Sequence, residues 1–270
     1  MRLRGFVIPV AVFGLGLSVL APGARALRVC ADPDYAPYSN RSGEGFENAI
    51  AEAVAKALGE PLEYTWASYR RQGGFSQFIA TTLDANKCDV VMSIPYGSRD
   101  ALTTQPYYVG SYVFVFSKGK HYDIRSMDSP VLKKLKVGFE RDTPPETGVM
   151  IRGMQERAVP FDVADSAAES PEAMLQAVQK GQIDVVITWQ PAIGAFLPKY
   201  PDLEVIPVPN ERAMGSTEQY AFPMSMGVRE GNEALRKRLD DVISKRQEEL
   251  TSILERRGVK LFTSQVPNLP

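Results

Sequence analysis

Ile79-Ala-Thr-Thr-Leu83-Asp-Ala-Asn-Lys-Cys88-Asp89-Val-Val91 and Met174-Leu-Gln-Ala-Val178-Gln-Lys-Gly-Gln-Ile183-Asp184-Val-Val186 are one pattern written twice, 95 residues apart. Each runs from a helical apolar spacing through a polar turn into a short apolar strand that opens on aspartate. The surroundings repeat as well. Before the first copy, Leu27–Ala31 reads as strand. Phe46, Ala49, Ile50, Ala53, Val54, Ala57 and Leu58 recur at three and four and spell a helix that Gly59 and Pro61 stop. Leu62–Trp66 then reads as strand, 75–83 as helix and 88–93 as strand. The second half follows the same order: strand 135–139, helix 147–157, strand 161–164, helix 171–179, strand 183–188. Strand and helix in alternation specify a parallel α/β sheet, so the chain should hold two similar α/β lobes.

Two uncharged, β-rich segments, 110–117 and 220–228, are the natural crossovers between the lobes. A chain that enters the second lobe through one strand and returns through another ties the lobes at two hinges and leaves a cleft. On this reading lobe one is 27–113 with 225–270, and lobe two is 114–224. The last helix, 235–256, carries Leu235, Leu239, Val242, Ile243, Leu250, Ile253 and Leu254 on one face and should pack back on lobe one.

The N-terminus reads as a secretory signal peptide, residues 1–26. Arg2 and Arg4 precede an apolar run to Leu20, and Ala24 and Ala26 fit the small-residue cleavage pattern, so the mature chain should begin at Leu27 in the periplasm. The run is short for a bilayer and contains Pro9, although an uncleaved anchor is the alternative. Losing Arg2, Arg4 and Arg25 from 31 basic residues against 32 acidic ones leaves a net charge of about −4. That balance argues against nucleic acid and for a small ligand or protein partner. A monomer with no membrane attachment after cleavage is expected. In an oxidising compartment Cys30 and Cys88 should form a disulfide worth roughly 2–4 kcal/mol, the alternative being two buried thiols.

Catalytic signals are thin. His121 is the only histidine and reads as a solvated loop residue; there is no Gly-x-Ser-x-Gly elbow, and the Gly-x-Gly at Gly14 and Gly16 lies in the export segment. No catalytic residue, cofactor or metal site is expected. Asp32, Asp34, Glu44 and Glu47 lack a calcium-loop spacing and read as solvated carboxylates, with oxygen ligands gathered across the cleft as the alternative. Open α/β sheets place ligands at the C-terminal ends of their parallel strands. That rule selects Asp32 and Tyr35; Tyr69, Arg70 and Arg71; Tyr96 and Arg99; Glu140 and Arg141; and Trp189 with Gln190. Rings and arginines there can grip a side chain or a carboxylate.

Several stretches resemble a known family: Arg28-Val-Cys-Ala-Asp-Pro33, Tyr38-Ser-Asn40, Gly43-Glu-Gly-Phe-Glu-Asn48, Leu62-Glu-Tyr-Thr-Trp66, Cys88-Asp-Val-Val-Met92, Leu102-Thr-Thr-Gln-Pro-Tyr-Tyr108 and Ser225-Met-Gly-Val228. They look like the periplasmic solute-binding-like J proteins, of the MxaJ and XoxJ type, associated with pyrroloquinoline-quinone methanol dehydrogenases; overall similarity leans to the XoxJ, lanthanide-enzyme type. The resemblance implies a type II periplasmic binding protein fold and an accessory, non-enzymatic role in which the cleft binds the dehydrogenase during maturation or activation. It also exposes departures from the amino-acid binders of that fold. Ser93-Ile-Pro-Tyr-Gly-Ser-Arg99 is two residues shorter than their carboxylate-holding stretch, and Glu140-Arg-Asp-Thr-Pro-Pro145 and Trp189-Gln-Pro191 replace their anion loop and ammonium-binding aspartate. An ammonium desolvated without that aspartate would cost several kcal/mol. The competing expectation is a small-solute receptor for an importer, with Arg70, Arg71 or Arg99 holding an anion.

Overall fold

The computed structural model describes residues 25–68, 70, 74–163, 169–213 and 216–262. Nearly all of the expected export signal, residues 1–26, lies outside these residues, as do Tyr69 and Arg71. In chain order the elements are β1 (Leu27–Ala31), β2 (Asp34–Tyr35), β3 (Ser39–Asn40), α1 (Phe46–Leu58), β4 (Leu62–Trp66), α2 (Gly74–Thr81), β5 (Val90–Pro95), β6 (Leu102–Thr103) and β7 (Tyr108–Ser117). There follow β8 (Val137–Glu140), α3 (Pro144–Ile151), β9 (Ala158–Phe161), α4 (Glu172–Gln179), β10 (Val185–Trp189), α5 (Gln190–Ile193), β11 (Leu203–Pro207), β12 (Glu211–Ala213), β13 (Ser216–Glu218), β14 (Ala221–Val228) and α6 (Glu233–Arg256).

The main sheet runs β4-β1-β5-β14-β7-β10-β8-β9. At one end β4, β1 and β5 are parallel and β14 closes on β5 antiparallel; at the other β9, β8 and β10 are parallel and β7 closes on β10 antiparallel. The two crossovers lie side by side. β7 pairs with β14 through Tyr108–Ser111 and with β10 through Tyr112–Phe116, so it changes partners between residues 111 and 112.

Strand alternation fills both faces of each half. On β7, Phe114 and Phe116 join a core with Leu132, Val149 and Ile187, while Val113 and Val115 join another with Met174, Leu175 and Val186. In the first half, Val29, Ile50, Val54, Leu239, Leu250 and Leu254 pack β1, α1 and α6 together; α6 spans its length with a non-helical residue at Arg246. The opposite face buries Cys30, Phe78, Ile79, Leu83, Cys88, Val91 and Ile94. Cys30 and Cys88 form a disulfide there, their Cα atoms 5.5 Å apart.

The repeated aspartates do the same job twice. The Asp89 amide donates to the Arg28 carbonyl at 2.7 Å, and its carboxylate accepts from the Arg28 amide at 3.2 Å and from the Arg28 guanidinium at 2.9 and 2.7 Å. The Asp184 amide donates to the Lys136 carbonyl at 2.9 Å, and its carboxylate accepts from the Lys136 amide at 2.8 Å and the Tyr122 hydroxyl at 3.2 Å. Each clasp joins the last parallel strand of a lobe to its first.

Two expected elements shift. The helix expected at 147–157 is α3, because Pro144 and Pro145 occupy its first turn, where no amide hydrogen is needed, and Gly153 at φ +66° breaks it early. The strand expected at 161–164 is β9, which carries Pro160; it pairs only with β8, and an edge strand tolerates proline. β11, α5 and the separate β12–β13 hairpin were not foreseen.

A candidate binding cleft between the lobes

Where the crossovers meet, Trp189 at the end of β10 packs against both the α1/α6 core and the core of the second half. Its ring lies 5.0 Å from Tyr112 and 6.1 Å from Phe222, centroid to centroid. Gly110 makes this possible: a Cβ there would meet the Trp189 ring at 2.2 Å. The tryptophan thus rests directly on the β7 backbone at the hinge.

Two cavities open on either side of it and share Tyr38, Pro95, Trp189 and Met224 as walls. The inner one, about 230 Å³, is walled by Tyr35, Tyr38, Phe75, Phe78 and Trp189, with Glu47 in its lining and Cys30 behind. The outer one, about 300 Å³, adds Tyr112, Glu140, Thr143, Pro144 and Phe222. Through Thr143, Pro144 and Phe222 it continues into a groove of about 730 Å³ between α3 and β13, bordered by Asp142, Glu146, Ile151 and Glu218. The three share walls in succession, from the floor of the first lobe, past the hinge, to the hairpin of the second.

The cleft is aromatic with embedded acids. Tyr35 stacks on Tyr38 at 4.7 Å, and the Arg70 guanidinium lies 5.0 Å from the Tyr35 ring centroid and donates to the Asp34 carbonyl. Burial pushes the Glu47 carboxyl up to about 7, with the nearby Asp32 charge adding to the rise and a hydrogen bond from Ser93 opposing it. The Ser93 hydroxyl also lies 3.0 Å from the Tyr107 hydroxyl at the start of the crossover. Burial raises the Tyr35, Tyr38 and Tyr112 phenols, so all three stay neutral.

Of the residues selected from the sequence, the structure brings Tyr35, Glu140 and Trp189 into the cavity walls and Arg70 to the edge, over Tyr35. Asp32 is buried behind the wall, where its carboxylate accepts from the Asp34 amide at 2.9 Å. Tyr96, Arg99 and Arg141 are exposed and outside the lining. Gln190 is not a cleft residue: its amide donates to the Gly258 carbonyl at 2.9 Å and accepts from the Lys260 amide at 2.8 Å, fixing the chain after α6. Glu47 corrects the reading of the four acids as solvated, since it and Asp32 are buried while Asp34 and Glu44 are exposed. The sequence signal for Glu47 was its place in the first turn of a helix, beside Phe46, which turns that end inward. Among the described residues no three His, Cys, Asp or Glu side chains cluster to hold a metal ion, and no helix is long and apolar enough to cross a membrane.

The family model of the bacterial extracellular solute-binding proteins, family 3, matches residues 27–256. The chain belongs to this family. Within family 3 it is of the MoxJ/XoxJ type. Protein MoxJ of Methylorubrum extorquens is 30% identical over 260 residues, covering 89% of this chain and 83% of that protein. The crystal structure of the periplasmic binding protein XoxJ from Methylobacterium extorquens AM1 aligns with a TM-score of 0.70 at 30% identity, over 88% of this chain and 100% of that one. MxaJ from Methlophaga aminisulfidivorans MPT aligns with a TM-score of 0.76 at 24% identity, over 88% and 100%, and shares the fold. The family-3 protein thus has the type II periplasmic binding protein architecture.

Proposed function

We propose that this family-3 protein is a periplasmic accessory of a pyrroloquinoline-quinone methanol dehydrogenase, of the lanthanide type, whose cleft receives a segment of the dehydrogenase during maturation or activation and performs no chemistry itself. On this reading residues 1–26 are the export signal, and the lobes divide near 113/114 and 224/225. The observation that carries the reading is the succession of three cavities with shared walls along the cleft. A receptor for one amino acid needs one closed pocket, whereas here the inner cavity shares walls with the outer one, and the outer one with a groove of about 730 Å³ along α3. A run of that length suits an extended polypeptide. Trp189 fills the place at the end of β10 where an ammonium-binding carboxylate would be needed for a free amino acid.

Native mass spectrometry of the mature protein with purified apo-dehydrogenase is expected to show a complex. No complex, together with full dehydrogenase activity in a deletion strain, refutes the accessory role. One feature favours the second reading, a small-solute receptor for an importer: the inner cavity, about 230 Å³, is of single-solute size. A thermal-shift screen tests it, since a solute at 100 times its Kd would stabilise the fold by about 2.7 kcal/mol.

A further inference from the structure

We propose that residues 258–262 form a strap that holds the two halves of the protein at one angle, so that the cleft stands preformed before anything enters it. The strap goes beyond the accessory role and is indifferent to what the cleft receives. It is rooted in α6, and it grips the second half at Gln190, which thereby acts as a positioning residue for Trp189 beside it.

The strap begins where α6 ends. Gly258, at φ +89°, turns the chain off the helix while the Val259 amide donates back to the Leu254 carbonyl at 2.9 Å. From there the residues alternate in allegiance. Val259 and Leu261 pack with the core of the first half. The Gly258 carbonyl and the Lys260 amide hold the two ends of the buried Gln190 amide at 2.9 and 2.8 Å, and Phe262 packs against the core of the second half. A chain laid in a seam must send successive side chains to opposite sides in this way. The seam is narrow: a Cβ on Gly258 would lie 2.6 Å from the Gly194 carbonyl carbon, and one on Gly194 would overlap the Gly258 carbonyl. Two glycines let the backbones of the halves touch.

The root is fixed to the first half. Just before β7, the Gln105 backbone amide donates to the Asp240 carboxylate at 2.7 Å, and its side chain donates to the Asp240 carbonyl at 2.8 Å and the Ser244 hydroxyl at 2.6 Å. On the far side of the non-helical residue Arg246, the Gln247 side chain donates to the Tyr107 carbonyl at 2.8 Å. With Leu239, Leu250 and Leu254 in the same core, α6 moves with that half. The strap itself has no slack, because the three residues from Val259 to Phe262 span at most about 11 Å when fully extended. Rotation about β7 and β14 displaces α5 against the end of α6, so it must pull Gln190 from the strap or Phe262 from its core. A cleft fixed in this way presents its walls without the ordering that domain closure would demand.

The test measures the distance between the halves by pulsed electron spin resonance on the mature protein. Spin labels are carried by ketone-bearing residues in place of the exposed Lys56 on α1 and Lys180 after α4, which leaves the Cys30–Cys88 disulfide alone. A second pair, at Lys56 and Lys87, reports on the first half by itself. Wild type should give one narrow distance across the seam. Gln190→Met removes both hydrogen bonds at nearly unchanged volume, and Phe262→Ala removes the far anchor at a partly exposed position, so the two variants disturb the strap from different ends. Each should broaden the distance across the seam or move it by more than about 2 Å, with the pair inside the first half unchanged. A wild-type distance retained by either variant overturns the strap, and so does a wild-type distance already as broad as theirs. Equal broadening of the pair inside the first half overturns it too, since residues 258–262 would then be ordinary packing. The distances are read without partner or solute, so they decide the strap whether or not the dehydrogenase binds.

Discussion

The twin aspartate clasps offer a comparison inside one molecule, through Asp89→Ala and Asp184→Ala. Asp89 accepts from the Arg28 amide and twice from its guanidinium, and the pair is largely buried, with the Asp89 side chain 6% and the Arg28 side chain 27% exposed. Hydrogen bonds to charged groups contribute about 1.5–3 kcal/mol each, and Arg28 recovers part of that by rehydrating, so D89A should cost about 3 kcal/mol. Asp184 has an amide and a phenol as partners and no cation, so D184A should cost about half as much, roughly 1.5 kcal/mol. At about 2–4 °C per kcal/mol for a chain of this size, thermal melts should fall by roughly 6–12 °C and 3–6 °C. The pH dependence sharpens the comparison. Burial alone would push the Asp89 carboxyl up, but the hydrogen bonds and charge of Arg28 hold it below its ordinary value. A depressed carboxyl contributes fully above its unfolded pKa and loses that contribution as the pH falls through the folded one. The gap between wild type and D89A should therefore hold at pH 7 and shrink below about pH 4. A D184A protein as unstable as D89A, or a D89A deficit that persists at pH 3, refutes the ion-pair account.

Three further outcomes are expected. Gly110→Ala should lift the Trp189 ring from the hinge, changing the near-ultraviolet circular dichroism and costing about 1–3 kcal/mol by urea unfolding, because the added methyl would lie 2.2 Å from the ring. Replacing Cys30 and Cys88 by serine should lower stability by roughly 2–4 kcal/mol and leave a protein whose melting no longer responds to dithiothreitol. Glu47→Gln should be more stable than wild type at pH 8: with the folded carboxyl near 7, wild-type stability declines as the pH rises from about 4.5 to 7, and the variant should lack that slope in a series of denaturant titrations.

The periodic elements were legible because their periods are local. The apolar spacing of α1 and the runs of β1 and β4 match the observed bounds, and the repeat located both clasped strands. The misplaced elements are those in which proline has two meanings: Pro144 and Pro145 start a helix instead of prolonging a loop, and Pro160 sits in an edge strand. In the cleft, the rule that ligands gather beyond strand ends selected Tyr35, Glu140 and Trp189, which line the cavities. It also selected Gln190, since nothing local announces that the chain at Gly258 and Lys260 returns to its amide. Glu47 was read as a solvated carboxylate and Phe75, Phe78 and Phe222 as helix or strand positions; only the approach of the two halves turns them toward a common space.

The clasps also act as registration pins. Parallel neighbours have no tight turn to set how far one may slide along the other, and a slip by one residue would turn every side chain to the wrong face. A carboxylate that grips the amide of one particular residue, while its own amide grips that residue's carbonyl, admits a single alignment. With Asp89 on Arg28 and Asp184 on Lys136, each half carries its own index mark, so each can find its alignment before the other has formed.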